Sequence, residues 1–95
     1  MSPEAPKERR ETVAMWYVYF LELKNGDIYV GSTDDLKRRF VSHQQGHVVS
    51  TRDYRPMILR AYVAVPDETT ARTLERNFKS GSGKAFAKKR FLGAA

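Results

Sequence analysis

Two runs of aromatic and β-branched residues stand close together near the start of the chain. They cover residues 16–23 and 28–33, and both have the composition of β-strands. The residues between them, Lys24-Asn25-Gly26-Asp27, contain the Asn-Gly pair that is typical of tight turns. The pattern therefore predicts a β-hairpin.

The length of the hairpin loop decides which side chains share a face of the sheet. With a two-residue loop, Tyr19 and Tyr29 would lie on opposite faces, because side chains alternate along a strand. A three-residue loop with Gly26 in the left-handed conformation places both tyrosines on one face. It also gathers apolar side chains on the other face: Val18, Phe20, Ile28 and Val30. We predict the three-residue loop, because this second face is suited to a core.

Helical periodicity follows the hairpin. Inward positions recur at i, i+4 and i+7: Leu36, Phe40 and His43. We expect this helix to begin at Asp34 or Asp35, with Thr33 or Asp34 as its N-cap. It should end near Gly46, where a polar loop begins.

The remaining pattern predicts one more strand and two more helices. Residues 57–65 form the strand, with partial burial on both faces. A long helix begins within residues 66–69, capped by Asp67 or Thr69, and buries one apolar stripe: Ala71, Leu74 and Phe78. The Gly-Ser-Gly sequence at residues 81–83 should break it, and Phe86 should anchor a short last helix over residues 84–91. The order β-β-α-β-α-α predicts an α/β (α+β) domain in which helices flank a small three-stranded sheet.

Composition narrows the class of protein. The 95 residues suffice for one domain, assigned to residues 15–92, and residues 1–14 are predicted to be a disordered tail rich in Pro, Glu, Lys and Arg. The absence of cysteine excludes disulfides, zinc-thiolate sites and cysteine nucleophiles, and it fits a cytoplasmic protein. No apolar run approaches the ~20 residues that span a bilayer, so we expect no membrane insertion.

The balance of charge favours an anionic partner. Lysine and arginine together number 17 against 11 acidic residues, which gives a net charge of +6. A nucleic acid is the first expectation and an acidic membrane surface the second. Basic side chains that could follow a phosphate backbone occur on the predicted helices: Arg38, Lys79, Lys84, Lys88 and Lys89. For any one of them, ordinary solvated charge is the alternative.

Five side chains are candidates for chemistry, each with a structural alternative. Glu75 lies beside an apolar stripe, where a carboxylate either pairs with a cation or binds a metal. Tyr19 and Tyr29 either pack as strand aromatics or act on a reacting water as base or hydrogen-bond donor. Arg39 is either a surface arginine or a ligand of a phosphoryl oxygen. His43, one helical turn later, either orients such a site or is a helix histidine with satisfied ring nitrogens.

The order and spacing of these residues resemble the GIY-YIG nuclease superfamily. The resemblance is carried by residues 16–21, WYVYFL, by residues 29–40, YVGSTDDLKRRF, and by His43. Arg39 lies ten residues after Tyr29, and Glu75 follows on the second long helix. The chain is most similar to the small stand-alone branch, which is related to the nuclease domain of the bacterial excision-repair incision protein. The resemblance extends over residues 15–91.

The resemblance implies an antiparallel sheet and the divalent-metal-dependent hydrolysis of DNA phosphodiester bonds. By position, Tyr19 would orient the attacking water, and Tyr29 would be the general base or its hydrogen-bonding partner. Arg39 would stabilise charge on the phosphate, and His43 would assist at the same centre. Glu75 would hold a single Mg²⁺ or Mn²⁺ ion. DNA is the implied partner, with RNA left open, and the implied role is in repair or recombination.

Two positions depart from the family pattern. The two triads of the family name correspond here to Tyr17-Val18-Tyr19 and Tyr29-Val30-Gly31. Tyr17 stands where the first triad has glycine, and Ala87 stands where many larger members have an asparagine, twelve residues after Glu75. Asn77 is too close to Glu75 to be assumed a substitute. Three functions therefore stay open: a small metal-dependent endonuclease, a non-catalytic nucleic-acid-binding module on the same fold, and an interaction domain in which the tyrosines only pack. Targeting would come from a partner protein, from the basic surface or from DNA structure; the oligomeric state is left open.

Overall fold

The computed structural model of the protein describes residues 14–93. The predicted tail, residues 1–14, lies outside this range apart from Ala14. The elements follow the predicted order: β1 Trp16–Glu22, β2 Ile28–Thr33, α1 Leu36–Gln44, β3 Ile58–Val65, α2 Glu68–Lys79 and α3 Gly81–Arg90. A single 3₁₀ turn, Arg52–Tyr54, lies in the long connection between α1 and β3. The predicted α+β fold is confirmed.

The sheet has β1 at its centre, in the order β2-β1-β3, with both neighbouring pairs antiparallel. Tyr19 lies opposite Gly31 in the β1–β2 pair. The Leu23 amide donates to the Asp27 carbonyl at 2.8 Å, which leaves a three-residue loop, and Gly26 in that loop has φ +90°. This confirms the predicted loop length, which brings the rings of Tyr19 and Tyr29 together on one face, with centroids 6.3 Å apart.

Each face of the sheet carries its own apolar cluster. The larger cluster joins the strands to α2 and α3 through eight buried residues: Val18, Phe20, Val30, Val65, Ala71, Phe78, Ala87 and Leu92. The smaller cluster consists of Tyr19, Leu21 and Met57, with half-buried side chains of α1, Leu36 and Phe40, against them. Helix α1 therefore covers the face of the sheet that carries the two tyrosines, and α2 covers the opposite face.

A β-bulge in β3 changes which face its side chains reach. Phe20 pairs with Ala61 but Leu21 pairs with Leu59, so Arg60 is an extra residue in the ladder. Leu59 consequently packs against the smaller cluster, whereas Ala61 packs against the larger one. This confirms the predicted partial burial of β3 on both faces.

The helix caps partly match the prediction. The N-cap of α1 is Asp35, whose carboxylate accepts from the Arg38 amide at 3.1 Å. The prediction of Thr33 or Asp34 was wrong, because the Thr33 hydroxyl accepts instead from the Asp35 amide at 3.1 Å and fixes the turn before the helix. Asp67 caps α2 as predicted, accepting from the Thr70 amide at 2.8 Å.

The start and the anchor of α3 were predicted wrongly. The helix begins at Gly81, and Ser80 alone separates it from α2, with its hydroxyl accepting from the Gly83 amide at 3.1 Å. A Cβ atom on Gly83 would lie 1.8 Å from the carbonyl oxygen of Asn77, so this glycine permits the close approach of α3 to the end of α2. Phe86 is half exposed, and α3 is anchored instead by Ala87. Among residues 14–93, no helix has the length and apolar character needed to cross a membrane.

Candidate active site

A pocket of about 350 Å³ lies along the free edge of β2. Four of the five predicted catalytic side chains line it: Tyr19, Tyr29, Arg39 and Glu75. The pocket combines groups from both faces of the sheet, because odd-numbered β2 residues face α1 and even-numbered ones face α2. The edge of β2 is thus where the phenols and the guanidinium meet the carboxylate.

His43, the fifth candidate, lies behind the pocket and holds Tyr19 in place. It is fully buried, and its Nε2 lies 2.9 Å from the Tyr19 hydroxyl. Its Nδ1 lies 2.8 Å from the hydroxyl of Thr51, which is also fully buried. On the pocket side, Arg39 Nε donates to the Tyr19 hydroxyl at 3.3 Å. These four side chains form one continuous hydrogen-bonded row.

The electrostatics of this row keep its histidine and its tyrosine neutral. Burial lowers the pKa of His43 to about 4, and the nearby positive charge of Arg39 acts in the same direction. Burial also raises the pKa of Tyr19 to about 12, although its hydrogen bond with Arg39 opposes this. Both groups are therefore neutral at neutral pH. A neutral imidazole has one N–H group and one bare nitrogen, so His43 donates in one of these two hydrogen bonds and accepts in the other.

Gly31, the last residue of the second triad, makes room for Tyr19. A Cβ atom at this position would lie 2.4 Å from the Tyr19 hydroxyl oxygen and 2.5 Å from the ring carbon that carries it. The phenol is almost fully buried and held by His43, so it cannot easily move away. Glycine, which has no Cβ atom, is thus required at position 31 to leave space for the Tyr19 phenol.

Replacing Gly31 by alanine is expected to destabilise the fold by about 1–3 kcal/mol, because the added methyl group overpacks the space that Tyr19 fills. The measurement is the free energy of unfolding in urea. Gly81→Ala is the matched control, since no heavy atom lies within 4 Å of its added Cβ and the position is helical. Equal stability of Gly31→Ala and Gly81→Ala would contradict the close contact between Gly31 and Tyr19.

The carboxylate of Glu75 is held from two sides. The Ser32 hydroxyl donates to Oε1 at 2.6 Å, and Lys79 Nζ forms an ion pair with Oε2 at 2.8 Å. Partial burial acts to raise the pKa of Glu75, but the hydrogen bonds from Lys79 and Ser32 outweigh it and lower the pKa. Glu75 is therefore ionised at neutral pH. It is a carboxylate at the pocket wall that already binds one cation.

The donor set in the pocket fits a hydrated Mg²⁺ or Mn²⁺ ion. Mg²⁺ prefers oxygen ligands, keeps several waters and is commonly held by only one or two carboxylates. Glu75 supplies one ionised carboxylate, and Asp34 lies at the same pocket. Within residues 14–93 there is no group of three or more His, Cys, Asp or Glu side chains that could enclose an ion. The site therefore suits an ion bound by one protein carboxylate, by water and by substrate phosphate.

The predicted phosphate-contacting residues are spread over the surface. Lys79 is at the site, paired with Glu75 and 6.0 Å from the centroid of the Tyr29 ring. Arg38 is exposed, pairs with Asp35 and lines a small pocket together with Arg39. The other three lie on α3 and do not line the β2-edge pocket: Lys84, Lys88 and Lys89.

Two residues of the site were missed by sequence reasoning. Ser32 follows the second triad directly, and its even position on β2 was enough to place it on the α2 face, toward Glu75. Thr51 lies in a polar loop without periodicity, and no sequence signal marked it. Of the positions weighed for the family asparagine, Ala87 is buried in the larger cluster and Asn77 is exposed outside the pocket.

The buried neutral His43 should make stability depend on pH. In the unfolded chain histidine takes up a proton near pH 6.5, whereas in the folded protein the pKa of His43 is about 4. The unfolded state binds more protons in this window, so stability is complete above pH 6.5 and falls as pH is lowered toward 4. We expect a loss of about 1–2 kcal/mol between pH 7 and pH 5, measured by urea unfolding.

The two histidines of the chain provide the control for this prediction. His47 is exposed, so His47→Gln should keep the pH dependence of the native protein. His43→Gln should be less stable at pH 7 but should show a flatter profile between pH 7 and pH 5. An unchanged slope in His43→Gln would contradict the assignment of this titration to His43.

The chain matches one known domain family over most of its length. Residues 15–90 match the GIY-YIG catalytic domain. A UPF0213 protein of Cupriavidus pinatubonensis is 42% identical over 57 residues, which are 59% of this chain and 63% of that protein, less than two thirds of its length. A UPF0213 protein of Serratia liquefaciens is 33% identical over 70 residues, 73% of this chain and 69% of the relative.

A solved structure is similar as well. The solution NMR structure of a UPF0213 protein from Bacillus halodurans is 34% identical in sequence and superimposes with a TM-score of 0.55. The similarity covers 83% of this chain and 87% of that one. Because the catalytic-domain match takes in all three strands and all three helices, the chain belongs to the GIY-YIG family of nuclease domains.

Proposed function

We propose that this protein is a small metal-dependent endonuclease that hydrolyses DNA phosphodiester bonds at the β2 edge. The observation that carries the proposal is the convergence of Tyr29, Arg39 and Glu75 on one pocket of about 350 Å³. GIY-YIG nucleases are generally metal-dependent, and the ionised Glu75 fits such an ion. Mg²⁺ or Mn²⁺ as the ion, DNA as the substrate, a cytoplasmic location and a role in repair or recombination belong to this proposal.

The two tyrosines have different roles in the proposed mechanism. Tyr19, with its pKa raised to about 12, remains a phenol, and its hydroxyl is hydrogen-bonded to both His43 and Arg39. It therefore positions Arg39 rather than removing a proton from water. Tyr29 is the other phenol at the pocket, and we assign to it the attacking water: it takes the water proton as a phenolate that has first lost its own proton to solvent, or as a phenol it holds the water by a hydrogen bond.

The positive charges in the pocket act on the phosphate. Arg39 uses one N–H group on Tyr19, and its terminal nitrogens carry the donors for phosphoryl oxygens. Because its hydrogen bond to Tyr19 raises the pKa of Arg39, the guanidinium stays charged throughout. Held by Glu75, a divalent ion would polarise the phosphate and ease departure of the leaving oxygen.

A second candidate is a nucleic-acid-binding module without catalysis. The ion pair between Glu75 and Lys79 favours it, because a protein cation already occupies the carboxylate. The net charge of +6 supports binding of nucleic acid in either case. This candidate predicts salt-dependent binding that needs no metal and leads to no cleavage.

Nicking of supercoiled plasmid separates the two functions. The full chain is incubated with plasmid in Mg²⁺, in Mn²⁺ and in EDTA, beside branched DNA and RNA substrates. An Arg39→Ala/Glu75→Ala double variant, purified in parallel, reports contaminating nuclease. We expect the native protein to nick plasmid in Mg²⁺ or Mn²⁺ but not in EDTA. Equal nicking by the native protein and the double variant would contradict the proposal. Binding in EDTA without nicking in metal would establish the second candidate.

A further inference from the structure

The ion pair between Lys79 and Glu75 lies where the proposed divalent ion would bind. The two residues are four apart on α2, in the order that favours such pairs, and Nζ is 2.8 Å from Oε2. The ammonium group is also 6.0 Å from the centroid of the Tyr29 ring. Lys79 therefore places a positive charge between two groups that line or contact the pocket.

The two partners of Glu75 differ in how easily they can leave. Ser32 has a short side chain on a strand, so its hydrogen bond to Oε1 belongs to the sheet framework. The Lys79 side chain is 51% exposed, against 19% for that of Glu75. A lysine ammonium sits on a flexible four-carbon stem and can turn to another anion without change in the fold. Displacement at Oε2 is thus the easier route to a free carboxylate oxygen.

Arg72, a basic residue that lines the pocket, makes its ion pair elsewhere. Its guanidinium pairs with Glu68 at 2.7 Å and lies 5.7 Å from the centroid of the Trp16 ring. Of the two, Lys79 is the cation that contacts Glu75 directly. A divalent ion and the Lys79 ammonium would compete for Oε2 of Glu75. Because both are positive and would contact the same oxygen, they would also repel each other.

We propose that Lys79 is an exchangeable counter-ion of Glu75, which a nucleic-acid phosphate draws away so that the carboxylate becomes available to the divalent ion. The inference rests on the proposed function, which places the ion at Glu75. Binding of nucleic acid and binding of metal then strengthen each other, because each removes a competitor of the other. The free protein holds metal weakly, and the site is completed when the substrate arrives.

The test measures Mn²⁺ affinity of the full chain by titration calorimetry, in the absence of DNA. Lys79→Met should bind Mn²⁺ about tenfold more tightly than the native protein, a coupling of ordinary size. Lys84→Met is the matched control, because it removes the same charge from a lysine on α3, whereas the ion pair with Glu75 is made by Lys79 on α2, and it should leave the affinity unchanged. Lys79→Arg keeps the competing charge, so its Mn²⁺ affinity should also stay near that of the native protein.

DNA supplies the second measurement. The measurement uses the Tyr29→Phe variant, chosen to stop cleavage. A short DNA duplex should raise the Mn²⁺ affinity of this variant. The duplex should raise the Mn²⁺ affinity of the Tyr29→Phe/Lys79→Met double variant by a smaller factor. Equal Mn²⁺ affinity of native protein and Lys79→Met would overturn the counter-ion role, as would weaker binding by Lys79→Met.

A further variant separates this inference from the proposed function. Glu75→Gln should lose Mn²⁺ binding. If it does so while Lys79→Met binds like the native protein, the metal site stands and only the role of Lys79 is rejected. If Glu75→Gln binds Mn²⁺ as the native protein does, the ion is not at Glu75 and both proposals fail.

Discussion

Replacing Arg39 by lysine is expected to slow DNA nicking by about 10²–10³-fold, the usual cost of removing a donor that stabilises transition-state charge. The guanidinium does two things that an ammonium cannot do together. Its Nε donates to the Tyr19 hydroxyl at 3.3 Å, and its terminal nitrogens remain for the phosphate. Lysine keeps the charge but loses this fixed orientation. The measurement is the initial rate of plasmid nicking at saturating Mg²⁺.

The neighbouring arginine is the control for this substitution. Arg38 is exposed and pairs with Asp35 at the start of α1, so Arg38→Lys should change the nicking rate little. Thermal unfolding of both variants should stay close to that of the native protein, because neither arginine is part of an apolar cluster. A native nicking rate in Arg39→Lys would mean that Arg39 does not contact the scissile phosphate.

Replacing Glu75 by glutamine is expected to remove metal-dependent nicking, with a loss of at least about 10³-fold, because a neutral amide is a poor ligand for a hard divalent ion. Glutamine keeps the size of the side chain and an oxygen that can accept from Ser32. The loss would therefore come from the charge and not from a collapse of the pocket. Nicking is measured over a range of Mn²⁺ concentrations, and high Mn²⁺ should fail to restore it.

Helix α2 supplies a matched control for this prediction. Glu68 forms the same kind of i,i+4 ion pair, with Arg72 at 2.7 Å, but its side chain is exposed and does not line the pocket. Glu68→Gln and Glu75→Gln should each change stability by less than about 1 kcal/mol, since exposed and partly exposed pairs contribute little. Only Glu75→Gln should lose nicking. Similar loss in both variants would point to a general effect of charge on DNA binding.

Much of the site followed from the two periodicities of the sequence. The alternation of side chains across a hairpin with a three-residue loop placed Tyr19 and Tyr29 on one face of the sheet. Helical spacing placed Arg39 one turn from His43. The position of Glu75 beside an apolar stripe predicted either an ion pair or a metal ligand, and the structure shows the ion pair with Lys79. Local patterns were sufficient here because each residue is placed by its own strand or helix.

The parts that failed depend on contacts between distant segments. Thr51 reaches His43 from an irregular loop, and no period in the sequence fixes the path of such a loop. The start of α3 was misjudged because glycine is a poor helix former in isolation, whereas Gly83 is placed by the end of α2, against which it lies. Phe86 was predicted to anchor α3, but it is half exposed, and the buried residue of this helix is Ala87.

The burial of Ala87 limits which side chains this position can hold. The resemblance implies an asparagine here in many larger members, and an asparagine in place of Ala87 would put an amide among the apolar side chains of the larger cluster. Such a group costs about 1–3 kcal/mol when its hydrogen bonds are not met. An asparagine at position 87 therefore costs stability in this fold, unless α3 lies differently against the sheet.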